Sequence, residues 1–115
     1  MELSLTTRHV DGVVVFDVSG RLCAGGAITL LRDAIKESVE SGTTRVVINL
    51  ADVTFIDSSG LGELITTHTS LNNRGGTVNL LKPSTRIKEL LRMTRLTAVL
   101  TAFDDEALAV QALKA

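Results

Sequence analysis

The strongest constraint on the fold is an apolar run in the middle of the chain, Val46-Val47-Ile48, in which neighbouring rather than alternate residues are apolar. A strand with one face in water alternates apolar and polar side chains, whereas a strand covered on both faces need not. We therefore predict a central strand over residues 46–50, covered on both faces. Val47 and Ile48 are both expected to be almost fully buried.

Strand and helix patterns alternate along the rest of the chain. Asp11-Gly12 is a hairpin signal between the first two strands. The order β-β-α-β-α-β-α-β-α predicts an α/β fold with a mostly parallel sheet and one antiparallel strand. A chain of 115 residues fits a single domain, over residues 1–115. Further strands are predicted at residues 3–8, 13–18, 77–81 and 98–101, and helices at 27–41, at 58–73, after Ser84, and after Asp104 or Asp105.

The charge balance argues against direct binding of DNA or RNA. Twelve Lys and Arg accompany thirteen Asp and Glu, for a net charge of −1, and no basic stripe interleaved with aromatic residues occurs. A single cysteine, Cys23, excludes an internal disulfide framework and suits a reducing compartment. The start lacks a signal-peptide pattern, and no apolar run approaches the roughly 20 residues that span a bilayer. We expect a cytoplasmic protein without a membrane segment.

The most informative turn follows the central strand and reads Asp57-Ser58-Ser59-Gly60-Leu61-Gly62. A hydroxyl at a helix start lies among unpaired backbone N–H groups and the positive end of the helix dipole. A phosphate there would be well held and would change the local charge by roughly −1.5 to −2. Ser58 is therefore a candidate phosphorylation site. The pattern alone leaves a simpler role equally open, because Ser58 or Asp57 could serve only as a helix cap.

Gly60 and Gly62 favour the functional interpretation of this turn. Two glycines in the first turn of a helix cost roughly 1–2 kcal/mol relative to alanine. That cost is easier to explain if the backbone of another molecule approaches the turn closely.

The residues around Ser58 do not support catalysis. A nucleophilic serine needs a base within hydrogen-bond reach, but His68 lies about 15 Å further along the same helix. The position of His68 beside apolar residues favours a packed, hydrogen-bonded side chain, and His9 is expected on the surface. A dinucleotide-binding pattern is incomplete, because Ile65 stands where its third glycine belongs. Two histidines and one cysteine, widely separated, form no metal cluster. We predict no catalytic residue, no cofactor and no metal.

Residues 55–62, Phe-Ile-Asp-Ser-Ser-Gly-Leu-Gly in this order of elements, resemble the STAS domain family, and more narrowly the bacterial anti-sigma factor antagonists. The similarity extends to Ser19-Gly20-Arg21-Leu22, to Asn49-Leu50 and to Met93-Thr94-Arg95-Leu96. The resemblance implies a regulatory protein in a partner-switching pathway. In its unphosphorylated form, such a protein binds an anti-sigma factor that is also an ATP-dependent serine kinase, and thereby frees a sigma factor.

The resemblance also implies roles for individual residues. The kinase would phosphorylate Ser58, the serine directly after the aspartate, and a metal-dependent serine phosphatase would reverse the modification. The implied partner-binding surface consists of Cys23, Asp57, Ser58, Ser59, Gly60, Leu61 and Gly62.

Cys23 is a departure from that family. The family commonly carries an acidic residue in a Gly-x-Leu-Asp pattern after the second strand, but here the run is Gly20-Arg21-Leu22-Cys23. A carboxylate that could pair with a partner arginine has become a neutral thiol. The turn after the second strand is expected at the sheet edge that carries Ser58, so Cys23 should lie near that serine. No basic residue stands directly beside Cys23 in the sequence, which favours a plain substitution over redox sensing.

Two alternatives remain open from the sequence. The first keeps the fold and changes the partner: a STAS scaffold or regulatory subunit in another signalling complex or a transporter-associated assembly. The second is a small nucleotide-binding protein or enzyme.

Overall fold

A computed structural model describes residues 3–113 of the chain. The helix and strand order matches the predicted one, with one added 3-10 turn at Leu96–Ala98. The strands are β1 (Ser4–Val10), β2 (Val13–Leu22), β3 (Arg45–Ile56), β4 (Thr77–Leu81) and β5 (Thr101–Phe103), and the helices are α1 (Gly26–Glu40), α2 (Ser58–Asn72), α3 (Thr85–Met93) and α4 (Glu106–Gln111).

The five strands form one mixed sheet in the order β1-β2-β3-β4-β5. Only β1 and β2 run antiparallel, and the other neighbouring pairs are parallel. Asp11 and Gly12 join the antiparallel pair with φ angles of 50° and 80°, as a two-residue hairpin turn requires. The predicted α/β fold with one antiparallel strand is confirmed.

The central strand β3 is covered on both faces, as predicted. Val46, Val47 and Ile48 each have 0% of their surface exposed. Val46 and Ile48 belong to the larger core, which also contains buried residues of α1, α2 and α3. Val47 belongs to a smaller core on the opposite face, packed with Ala109 and Val110 near the C-terminus.

The prediction of a last strand at residues 98–101 is wrong. Leu96–Ala98 forms a 3-10 turn after Arg95, which has a φ of 62°, and the strand is Thr101–Phe103. The N–H of Leu100 donates to the carbonyl of Leu96 at 2.7 Å. The short apolar run at residues 98–100 therefore belongs to a turn that buries Leu100 in the core. A short apolar run is compatible with either a strand or a buried turn, which explains the wrong prediction.

β2 and β3 are longer than predicted and remain paired as far as Leu22 and Ile56, through two register shifts. By contrast, the last pair between β3 and β4 joins Asn49 to Leu81. β2 and β3 therefore project together beyond β4, and this projection carries the turn singled out in the sequence.

Arg8 links the two ends of the described chain on the α4 face of the sheet. Its guanidinium donates to Asp17 of β2 and to Glu106 of α4, at 2.5 Å and 2.6 Å, and Asn49 donates to the same aspartate at 2.8 Å. Arg8 holds the pKa of both carboxyl groups below their ordinary values. Within residues 3–113, no helix is long and apolar enough to cross a membrane.

Candidate functional site

Asp57 joins the end of β3 to the start of α2 and is the N-cap of that helix. Its Oδ1 accepts a hydrogen bond from the N–H of Gly60 at 2.9 Å, which satisfies one of the free donors of a helix start. Its Oδ2 accepts from the N–H of Ala24 at 3.1 Å. One carboxylate therefore ties the first turn of α2 to the turn that follows β2.

The pKa of Asp57 is lowered from its ordinary value, chiefly by the hydrogen bond from Gly60 and then by the one from Ala24. Both donors favour the charged form of the carboxyl group. The site therefore carries a fixed negative charge at neutral pH, directly beside Ser58.

Ser58 is the first residue of α2 and its side chain is exposed, as is that of Ser59. Neither hydroxyl makes a hydrogen bond to another described residue. The sequence left open whether Ser58 or Asp57 caps the helix. The structure shows that Asp57 is the cap. The hydroxyl of Ser58 therefore has no capping role and stands at the surface beside the N-terminus of α2.

Gly60 is buried, and the close approach that explains it comes from within the chain. A Cβ at this position would lie 2.2 Å from the carbonyl oxygen of Leu22 and 2.8 Å from the side chain of Ile56. A contact within the chain therefore explains the glycine at this position, and the role of Gly60 in partner binding stays a prediction. Gly62 differs, since it is exposed and nothing lies within 4 Å of a Cβ built there. Leu61 is only 8% exposed and packs in the main core.

Cys23 follows the last residue of β2 and is partly exposed. Leu22 pairs with Ile56, and the next residue after Cys23 donates to Asp57. The two residues that flank Cys23 therefore contact Asp57, the residue before Ser58. The Cys23 side chain lines a small surface cavity of about 370 Å³ together with Arg21 and Leu30.

The two histidines do not reach this site. His9 is exposed on β1, as predicted. His68 lies on α2 and is partly buried, but its Nδ1 atom is buried without a hydrogen-bond partner among the described residues, so the expectation of a hydrogen-bonded histidine is not met at that atom. In the described part of the chain, no group of three His, Cys, Asp or Glu side chains is placed to hold a metal ion.

A groove of about 750 Å³ lies next to the site, between the end of β3 and α3. We call it the β3–α3 groove. The guanidinium of Arg21 stacks over the ring of Phe55, 4.4 Å from the ring centroid. Met93 is 69% exposed. Sequence reasoning missed the groove, because it depends on β3 projecting beyond β4. The groove is lined by Thr54, Phe55, Ile56, Ser84, Thr85, Arg86, Ile87, Glu89, Leu90 and Met93.

Comparison with known protein families and sequences gives a consistent result. The model of the STAS domain matches residues 4–109. An anti-sigma F factor antagonist from Paenibacillus polymyxa is 26% identical over 115 residues, which cover 99% of this chain and 97% of the relative.

Comparison with solved structures shows the same fold. A candidate anti-sigma factor antagonist from Thermotoga maritima has a TM-score of 0.87 at 23% identity, over 95% of this chain and 93% of that chain. The Bacillus cell fate determinant SpoIIAA, in its phosphorylated form, has a TM-score of 0.74 at 23% identity, over 96% of this chain and 100% of that chain.

Proposed function

This chain belongs to the STAS domain family, and we propose that it is an anti-sigma factor antagonist whose binding to an anti-sigma factor kinase is controlled by phosphorylation of Ser58. The whole of residues 1–115 would form this one regulatory domain. The main support for this proposal is that Asp57 caps α2, which leaves the exposed hydroxyl of Ser58 without a structural role. The relative from Paenibacillus is named as an anti-sigma F factor antagonist, and a solved structure contains SpoIIAA in its phosphorylated form.

The position of Ser58 would let the fold accept a phosphate. The hydroxyl is exposed and stands at the N-terminus of α2, where backbone N–H groups and the helix dipole favour an anion. Modification therefore requires no rearrangement of the core.

The same phosphate would disfavour a bound partner. It would stand next to the carboxylate of Asp57, whose lowered pKa keeps it charged. A partner that covered this turn would have to remove water from two neighbouring anions, and such desolvation is costly. Unmodified Ser58 and Ser59 are small and neutral, and the bare surface of Gly62 next to them leaves room for close contact. Binding in the unphosphorylated state and release after phosphorylation follow from this difference.

The role proposed is that of a kinase substrate and binding module, not of an enzyme, acting in the cytoplasm. A serine phosphatase would restore the binding form. Within residues 3–113 no histidine stands near Ser58, since His68 lies ten residues further along α2 and His9 lies on β1, which supports this assignment.

Cys23 favours a second candidate, in which the same fold serves another signalling complex or a transporter-associated assembly. A neutral thiol replaces the acidic residue common in the family at a position beside Asp57, which alters the charge that a standard kinase would meet. The two candidates differ in whether a kinase recognises Ser58.

Incubation with ATP and each purified anti-sigma factor kinase of the same genome, followed by peptide mass spectrometry, tests the proposal. We expect a single phosphate on Ser58. The variant Ser59→Ala is the matched control and should be labelled as the parent protein is, whereas Ser58→Ala should not be labelled. Labelling of Ser59 instead, or of neither serine by any of these kinases, contradicts the proposal and favours the second candidate.

A further inference from the structure

We propose that the β3–α3 groove binds an extended, apolar segment of the anti-sigma factor that carries acidic residues, and that this segment adds a strand to the free edge of β3. The inference rests on the proposed function and names the part of the partner that the antagonist holds.

The first support is the free strand edge along one side of the groove. The last pair of β3 with β4 joins Asn49 to Leu81, while β2 covers the other side of β3 as far as Ile56. The N–H of Ala51 donates to the side chain of Asn49 at 3.1 Å, so the open edge begins at Asp52. Residues 52–56 span roughly 17 Å of strand, and their β4 side has no strand neighbour within residues 3–113. An edge of this kind can pair with an incoming strand.

The second support is the apolar wall opposite that edge. Ile87, Leu90 and Met93 of α3 line the groove on the helix side, and Phe55 and Ile56 line it on the strand side. Met93 is 69% exposed, although it lies beside a cavity of about 750 Å³. Exposed apolar surface next to a concave site commonly marks a binding surface. The groove therefore offers pockets for the apolar side chains of a strand paired with β3.

The third support is the charge around the groove. Glu89, the acidic side chain of the lining, already pairs with Arg92. Arg86 lines the groove and makes no ion pair with a described residue. Arg21 stacks on Phe55 and likewise has no acidic partner in the described part of the chain. Among the residues that line the groove, the uncompensated charge is therefore the positive charge of Arg86, and it complements acidic residues on the bound segment.

The groove is continuous with the proposed switch. Ile56 lines the groove and stands two residues before Ser58 in the chain. A phosphate on Ser58 would place a dianion at the end of the groove, next to Asp57. An acidic segment in the groove would be repelled by that charge, which gives phosphorylation a direct effect on the bound segment.

Two exposed apolar residues provide a matched pair of variants. Met93 lies on the groove, whereas Leu108, which is 55% exposed, lies on α4. We expect Met93→Glu to weaken binding of the unphosphorylated protein to its anti-sigma factor kinase at least tenfold in titration calorimetry. Leu108→Glu should bind within about twofold of the parent protein. Both variants should keep the parent circular dichroism spectrum, since both positions are exposed.

Hydrogen exchange followed by mass spectrometry, on the parent protein with and without the same kinase, tests strand addition itself. We expect slower exchange of the amides of residues 52–56 in the complex. Protection of α3 without protection of residues 52–56 would contradict the proposal that the bound segment adds a strand to β3. Protection that rises with the concentration of the antagonist alone would show that a second copy covers the edge, and would also overturn it.

The variant Ser58→Glu, titrated in parallel, separates the two proposals. If Ser58→Glu binds weakly while Met93→Glu binds like the parent protein, the groove has no part in binding and the switch at Ser58 stands. If no anti-sigma factor kinase of the genome binds the parent protein, the proposed function fails, and the inference about the groove fails with it.

Discussion

The carbonyl oxygen of Leu22 occupies the space that any side chain on residue 60 would need. The end of β2 thus rests directly on the first turn of α2, and glycine is the residue that permits this contact. The two glycines of the turn consequently have different roles, one inside the fold and one on its surface.

Gly60→Ala should destabilise the protein by about 1–3 kcal/mol, the usual range for an overpacked core. The obstructing atom belongs to the backbone and cannot move aside as a flexible side chain could. Gly62→Ala is the control, because nothing lies within 4 Å of its Cβ. It should stabilise the protein by about 0.5–1 kcal/mol, since alanine is favoured over glycine in helices. Urea unfolding of the three proteins measures both effects, and equal stability of the two variants would contradict the internal role of Gly60.

Arg8→Leu should reduce the dependence of stability on acid pH. Hydrogen bonds from Arg8 lower the pKa of Asp17 and Glu106 below their ordinary values of 3.8 and 4.5. Each carboxylate therefore stabilises the fold fully above its ordinary value, and the contribution is lost as the pH falls through the lower folded-state pKa. The melting temperature of the parent protein should fall more steeply below about pH 4.5 than that of Arg8→Leu.

The control for this prediction is Arg74→Leu, because Arg74 is exposed and makes no ion pair with a described residue. The melting temperature of Arg74→Leu should depend on pH as that of the parent protein does. At neutral pH, Arg8→Leu should lower the free energy of unfolding only modestly, since partly exposed ion pairs contribute roughly 0–1 kcal/mol each. A profile for Arg8→Leu parallel to that of the parent would show that Arg8 does not set these two pKa values.

Cys23→Asp should strengthen binding to a kinase that presents a basic residue at this turn. It restores the carboxylate that the family commonly carries there, and a well-formed charge-assisted hydrogen bond contributes roughly 1.5–3 kcal/mol, or about tenfold or more in affinity. Cys23→Ser, which keeps the size and stays neutral, should bind like the parent protein. Unchanged or weaker affinity of Cys23→Asp in titration calorimetry would refute the expectation.

Ser58→Ala should retain binding to the kinase and abolish phosphorylation, which locks the antagonist in its binding form. Ser58→Glu should bind at least tenfold more weakly, because it places a second carboxylate beside Asp57 and adds bulk at the contact. Both variants should unfold close to the parent melting temperature, since the cap is Asp57. Tight binding by Ser58→Glu in the same titration would show that the switch lies elsewhere.

The sequence predicted β4 and α2 closely, whereas β2 and β3 extend further at their C-terminal ends than predicted. β4 was predicted with the observed bounds, Thr77–Leu81, and α2 within one residue of its observed end at Asn72. β5 was misplaced, because Ala98-Val99-Leu100 is apolar whether it forms a strand or a buried turn.

Features that depend on contacts between distant segments could not be read from the sequence. Both Asp57 and Ser58 belong to residue types that commonly cap helices. The hydrogen bond to Asp57 from the N–H of Ala24, thirty-three positions away, is a contact that no local pattern reports. The role of Gly60 depends on the register of β2 against β3, which contains two shifts. The β3–α3 groove depends on β4 ending before β3 does, and no local pattern reports such a difference in length.

The ion pair between Arg8 and Glu106 joins residues 98 positions apart, which bears on the order in which the protein forms during synthesis. The hairpin of β1 and β2 can close early because its contacts are local, whereas the ion pair of Arg8 with Glu106 cannot form until Glu106 has left the ribosome. Docking of α4 is therefore expected to be a late event, and loss of Glu106 should accelerate unfolding more than it slows folding.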